Sequence, residues 1–282
     1  MTIESIMQSS IQLRNTEIID ISDNLEIQIS RGNNQLKQVR KLRLNGLPEY
    51  MENKEVKNKK NNAKLRKQIE KIEQLIIDGY DRFADHLIIS TLKPSRVIAY
   101  VRIIDAYTAF NLGGYFCENN FNINNIYTNN SKLIELSRIV IDPEYQNSMT
   151  IKALWSGVLK YANKKNVNAI MGTFPVSLKE NVSHVEKQVK QIKSNYLSSN
   201  SLRVEPYQLL PQAVASSKQK YDSSMTGYFF ELGPKLCGDA HWNVDLNQAE
   251  LFFYYQLSAN QQNQQNQLNI ENTDDQSDCI VA

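Results

Sequence analysis

Residues Leu133–Ile141 read Leu-Ile-Glu-Leu-Ser-Arg-Ile-Val-Ile, an apolar run suited to a strand and broken by three polar side chains. Alternation puts Glu135 and Ser137 on one face of such a strand and Arg138 on the other, unless an extra residue bulges from the ladder. Asp142-Pro143 ends the run. Such a segment either turns its charges to solvent at a sheet edge or encloses them for a purpose. The pattern alone leaves both readings open.

The neighbouring segments decide the fold class. Ile151, Leu154, Trp155, Val158, Leu159 and Ala162 make one apolar helical face, and Lys164-Lys165-Asn166 suits a helix C-terminus. Residues 167–174 are apolar enough for a buried strand, so strand, helix and strand predict a βαβ unit in a mixed sheet. Upstream, 25–30 alternates like a half-buried strand, and Asn33 or Asn34 can cap a helix carrying Leu36, Val39, Leu42 and Leu47 up to Pro48. Residues 87–90 and 97–104, around a turn at Pro94, read as an antiparallel hairpin. Downstream, 181–197 reads as a polar helix, and 227–232 and 251–257 as strands. The expected organisation is an N-terminal extension over 1–24, one α/β (α+β) domain over 25–257 with a basic helical insertion at about 50–78, and a tail over 258–282. Every residue from 260 to 267 is Asn or Gln, so that tail is expected to stay outside the packed domain.

Composition narrows the function classes. A chain of 282 residues with 41% hydrophobic side chains can fill a core, and a net charge of +2 with 22% charged residues points to no nucleic-acid partner. Cys117, Cys237 and Cys279 are too scattered for a disulfide framework, and with His86, His184 and His241 they show no metal-ligand spacing, so no metal is expected. No basic segment followed by an apolar run opens the sequence, and no stretch approaches the roughly 18 apolar residues of a membrane helix. A cytoplasmic protein is expected.

Four stretches occur in the order found in bacterial ornithine N-acyltransferases: Asp81-Arg82-Phe83-Ala84-Asp85-His86, Val101-Arg102-Ile103-Ile104, Glu135-Leu136-Ser137-Arg138 running on to Asp142-Pro143-Glu144-Tyr145, and Leu154-Trp155-Ser156-Gly157. Gly227-Tyr228-Phe229-Phe230 and Cys237-Gly238-Asp239-Ala240-His241-Trp242 resemble the closing part of that group. The chain thus resembles this hemolysin-like branch of the GNAT acyltransferase superfamily, which is related to acyl-homoserine-lactone synthases and N-acyl amino acid synthases. The resemblance implies a mixed, mostly antiparallel sheet flanked by helices, with a splayed strand pair that admits a thioester between the Glu135 strand and the 167–174 strand. It implies transfer of a fatty acyl group to the amine of ornithine or a similar amino acid. A soluble acyl-amine or acyl-homoserine-lactone-type signal synthase is the alternative within enzymes, and a non-catalytic module that binds a carrier protein or membrane is the alternative outside them.

On that resemblance Glu135 is expected to take the amine's proton, with Arg138 and Asp85 beside it. Arg43, Arg102, His86, Ser137 and Val140 line the pocket in the same reading, with a backbone N–H at a bulge near Val140 or Ile141 polarising the thioester oxygen. For each arginine a structural salt bridge is the plainer alternative, and for His86 it is packing. Gln146, Asn147, Ser148, Met149 and Thr150 would form the donor phosphate loop at a helix start. That loop holds no glycine, which favours an acyl carrier protein over coenzyme A as donor, because one pantetheine phosphate needs a smaller cradle than a nucleotide. No permanently bound cofactor is implied. The basic run 54–71 would dock the carrier protein or a membrane surface, or simply form a solvated helix face. Cys279-Ile280-Val281-Ala282 matches a prenylation box, which would put the protein at a host-cell membrane.

Overall fold

The computed structural model describes residues 16–22, 24–31, 36–45, 76–127, 132–178, 182–211 and 225–257. β1 (Thr16–Ser22) and β2 (Leu25–Arg31) form an antiparallel pair, so the sheet begins inside the stretch expected to be an extension. α1 (Leu36–Asn45) follows. β3 (Asp85–Thr91) and β4 (Arg96–Asp105) make the expected hairpin, and α2 (Ala106–Leu112) starts on an Asp105 side chain that accepts from the Thr108 N–H. After a 3-10 turn at Phe116–Asn119 come the short β5 (Phe121–Asn122) and α3 (Asn124–Tyr127). β6 (Leu133–Ile141), α4 (Ser148–Lys164) and β7 (Ala169–Ser177) are the βαβ unit, and α5 (Val182–Tyr196) is the polar helix. β8 (Glu205–Pro206), α6 (Met225–Glu231), β9 (Lys235–Leu236), β10 (His241–Asn243) and β11 (Gln248–Gln256) complete the described chain.

Nine of these strands form one sheet in the order β1-β2-β3-β4-β6-β7-β11-β10, with β9 against β11. Among its pairings only β6–β7 is parallel. The expected mixed, mostly antiparallel α/β sheet is therefore what forms. One face carries the larger core, in which α4 packs Ile151, Leu154, Trp155 and Val158 onto Ile27, Leu87 and Leu136. The other holds α1 over Ile88 and Tyr100 and a second cluster around Phe121, Met171 and Phe252. Residues 227–232, expected as a strand, lie in α6 up to Glu231 instead. Phe229 packs edge-on against Trp155 and Phe253 and stacks on Phe174, and helical spacing is what delivers it there. Tertiary packing overrides strand propensity at this point. The helix cap at Asn33 or Asn34, the basic run 54–71 and the tail with Cys279 lie outside the described residues. Among the described residues no helix is long and apolar enough to cross a membrane.

The feature that positions the site is the parting of β6 and β7. They pair only from Leu133↔Ala169 to Leu136↔Gly172, although both strands run on, to Ile141 and Ser177. At the parting point a Cβ on Gly172 would stand 2.0 Å from the Leu136 carbonyl oxygen, so only glycine allows the last pair to close. Pro175, whose nitrogen has no hydrogen to give a ladder, sits in the half of β7 that β6 no longer accompanies. Gly172→Ala is expected to lower unfolding free energy by more than about 2 kcal/mol, because the clash is with backbone and cannot rotate away; urea denaturation of the two proteins measures it.

Candidate active site

β6 resolves its parity conflict with a bulge. Tyr100 pairs with Val140 and Arg102 with Ser137, so Arg138 and Ile139 together face the single residue Val101. Arg138 adopts φ +56°, the left-handed conformation that lets the extra residue fit. Ile134 and Leu136 before the bulge, and Ile139 and Ile141 after it, all reach the α4 core, while Glu135, Ser137 and Arg138 share the opposite face. The bulge lies at Arg138–Ile139, slightly before the expected position near Val140 or Ile141.

On that face three arginines and two aspartates form one chain of ion pairs. Arg43 from α1 grips Asp81 with both terminal nitrogens at 2.8 Å, and also donates to the Ile76 carbonyl and the Tyr100 hydroxyl. Arg102, fully buried, reaches Asp81 at 3.1 Å and Asp78 at 2.5 Å and donates through Nε to Ser137 Oγ at 2.9 Å. Arg138 closes the chain on Asp78 at 3.0 Å. The 3-10 turn Gly79–Arg82 is what brings the two aspartates into line: Asp78 accepts from the Tyr80 N–H, and Asp81 accepts from the Asp78 N–H. Burial would raise the Asp81 carboxyl, but Arg43 and Arg102 outweigh it and hold the group well below the ordinary range. Burial opposes Asp78 in the same way and loses to Arg102 and Arg138. Burial and the neighbouring Arg102 together lower Arg138.

Glu135 stands apart from this chain and is 0% exposed. Its Oε2 accepts from the Phe116 N–H at 2.7 Å and its Oε1 from the Cys117 N–H at 2.9 Å. It thereby fixes the 3-10 turn whose Phe116 ring covers the guanidiniums of Arg102 at 4.6 Å and Arg138 at 4.8 Å. Burial pushes the Glu135 carboxyl up to about 7 against the pull of Arg102 and the two backbone donors.

Two cavities meet at Phe116, Arg138 and Leu246. The first, of about 580 Å³, fills the gap between β6 and β7 and is walled by Val140 and Ile141 on one side and Thr173 to Ser177 on the other. The second, of about 630 Å³, lies over Asp78, Asn120, His241 and Asn243. Ile141 faces the gap with its backbone as well: Asp142 donates its N–H to the Ile98 carbonyl of β4, so alternation turns the Ile141 N–H towards the open side.

Several residues named from the sequence stand elsewhere. Asp85 belongs to the α4 face, where it pairs with Arg31 at 2.7 Å and accepts from the Tyr161 hydroxyl at 2.8 Å. As the first residue of β3 it pairs with Ile103, one position out of phase with His86 and Arg102, which removes it from the cavity. His86 is locked in the core between the Tyr100 hydroxyl and the Asp81 carbonyl, each at 2.8 Å. A carbonyl only accepts, so the neutral ring carries its hydrogen on Nε2; burial lowers its proton affinity and keeps it neutral. Ser137 serves Arg102 from full burial, and neither Ser137 nor Glu135 lines either of these two cavities. Arg43, Arg138, Val140 and Gln146 do. Asn147 caps α4 by accepting from the Thr150 N–H and hydroxyl, Ser148 opens the helix, and Met149 is exposed. The reading from sequence missed Asp78, Tyr100, Phe116 and Glu250. Asp81 lies in the same acidic segment as Asp85, and it is Asp81 that faces the arginines.

Residues 54–156 match the family model described as acetyltransferase (GNAT) domain. This part of the chain is similar to GNAT acetyltransferase domains. Two curated relatives, each named L-ornithine N(alpha)-acyltransferase, are those of Brucella abortus (25% identical over 111 residues, 37% of this chain and 40% of that protein) and Rhizobium meliloti (27% over 108 residues, 35% and 36%). The chain thus spans about two fifths of the length of the relatives it matches. Among solved structures, the acyl-homoserine-lactone synthase LasI aligns over 83% of this chain and 91% of its own at 13% identity and a TM-score of 0.36, too low to bear on the site.

The raised Glu135 carboxyl has a measurable consequence. A carboxyl at about 7 in the folded protein and 4.5 in the unfolded chain binds its proton more tightly when folded. Its contribution to stability is therefore complete below pH 4.5 and is lost as pH rises towards 7, by roughly 3 kcal/mol. Urea midpoints of wild type and Glu135→Gln between pH 5 and 8 are expected to differ in slope, the wild type falling more steeply.

Proposed function

We propose that the chain is an N-acyltransferase that moves a fatty acyl group from a thioester to the amine of ornithine or a similar amino acid. The observation that carries this reading is the gap between β6 and β7, floored by the Leu136–Gly172 pair and opening on Arg138. A thioester lying in that gap brings its carbonyl oxygen to the Ile141 N–H, a donor on a fixed strand that polarises the carbonyl and stabilises the tetrahedral oxyanion. The start of α4 after Asn147 offers helix N–H groups to the pantetheine phosphate. The lack of glycine over 146–150 and the basic run 54–71 both favour acyl carrier protein over coenzyme A as donor.

The acceptor enters through the second cavity. Among the described residues the ion-pair chain sets three guanidiniums against two carboxylates, and its last guanidinium, Arg138, stands where the cavities meet. That guanidinium suits the α-carboxylate of an amino acid. Glu135 acts in this reading as a positioning residue, since it holds the Phe116 turn and lines neither of the two cavities.

Thiol release by the purified chain is the test, with acyl carrier protein and coenzyme A thioesters of one long acyl chain offered alongside ornithine. Mass spectrometry is expected to find the N-acyl amino acid, with a lower KM for the carrier-protein thioester. Arg138→Ala is expected to raise KM for ornithine at least tenfold and leave KM for the donor within about twofold. Thiol release with other acceptor amines but none with ornithine would favour the signal-synthase reading. Release of no thiol with any acceptor amine would end the acyltransfer reading.

A further inference from the structure

β11 sends one carboxylate to the first cavity. Glu250 pairs with Pro175 on β7 and with His241 on β10, and shares its face with Phe252 and Tyr254, the face of Glu135 and Arg138. It is 7% exposed and lines the cavity that Arg138 and Val140 also wall. Its partners are two neutral amides: Asn120 Nδ2 donates to Oε2 and Asn243 Nδ2 to Oε1, each at 2.8 Å. Both asparagines line the second cavity, so Glu250 is held where the two spaces adjoin. Among the described residues no lysine or arginine pairs with it. Its titratable neighbour on β10 is His241, which burial keeps towards the neutral form and whose Nδ1 accepts from the Gln208 N–H, and Arg43, Arg138 and His184 line the same cavity.

The contrast with Asp78, Asp81 and Asp85 is what makes this group informative. Each of those carboxylates has an arginine, whereas Glu250, like the backbone-held Glu135, has none among the described residues. Glu250 has two amides that aim it and use about half of its lone-pair directions, leaving a buried carboxylate with no lysine or arginine paired to it among the described residues. A site built in this way gains most from a cation that enters the cavity.

We propose that Glu250, oriented by Asn120 and Asn243, is the carboxylate that binds the acceptor's reacting ammonium and takes its proton. This rests on the acyltransfer reading above. The ammonium gives one proton to Glu250, and the freed lone pair forms the C–N bond to the thioester carbonyl carbon. The C–S bond then breaks with its electron pair on sulfur, the nitrogen's second proton passes to that thiolate, and Glu250 returns its own proton to water.

The test compares wild type, Glu250→Gln and Glu250→Asp, using thiol release with ornithine from pH 6 to 9.5, alongside calorimetric titration of ornithine without donor. Glu250→Gln keeps the shape and an acceptor oxygen, and its melting temperature verifies folding. The expected result is a loss in kcat/KM of at least 100-fold at pH 7 that shrinks steadily towards pH 9.5, where the amine is free without help, with partial activity in Glu250→Asp and weakened ornithine binding in Glu250→Gln. A pH-independent loss, or a rise in KM with kcat unchanged, would overturn the proton-taking role. If the wild type releases no thiol, the acyltransfer reading fails, and the calorimetry still decides on the ammonium site: equal ornithine binding by both proteins, or none by the wild type, overturns it.

Discussion

A guanidinium in the middle of a sheet, with no solvent in reach, must find its counter-charges inside the protein, and the arrangement around Arg102 follows from that requirement. Asp78 and Asp81 come from a 3-10 turn that exists to bring them in together, each bracing the other's backbone. Arg43 then neutralises the far side of Asp81, and Arg138 the far side of Asp78. Ser137 meets the remaining Nε, and Phe116 lies over the plane. Removing either aspartate would take a carboxylate from two arginines at once, which ties α1, the turn, β4 and β6 into one unit.

That unit explains why β6 bulges. A regular strand would send Arg138 into the α4 core, where no carboxylate waits among Ile134, Leu136 and Ile139. The left-handed residue costs backbone strain of about 1 kcal/mol, offset by the ion pair with Asp78 and by returning Ile139 and Ile141 to the core. The same kink carries the strand away from β7. Site and bulge are thus one event, produced by charges that alternate out of step with the apolar residues around them.

Much of this was legible in the sequence. The βαβ unit, the hairpin and the polar helix followed from periodicity, because apolar faces in those segments are unmixed. The oddness of Leu133–Ile141 was visible, as was its solution by a bulge. What periodicity does not carry is the partner of each charge. Asp81 and Asp85 are alike as letters and lie on opposite faces because β3 starts between them, and a boundary known to within two residues cannot tell them apart. Glu135 drew attention as a carboxylate in an apolar strand, yet its partners are backbone N–H groups of a turn that no side-chain pattern announces. Glu250 lay in a segment read only as a strand. Its meaning depends on asparagines 130 and 7 residues away.

The parting of β6 and β7 leaves two strand rims facing each other inside the molecule. Unpaired rims at a protein's surface recruit foreign strands and invite aggregation. These are roofed by His184 and Gln188 of α5 and Thr226 of α6. Covered in this way, the peptide groups that would be a hazard at the surface face an enclosed space instead of a neighbouring protein's strand.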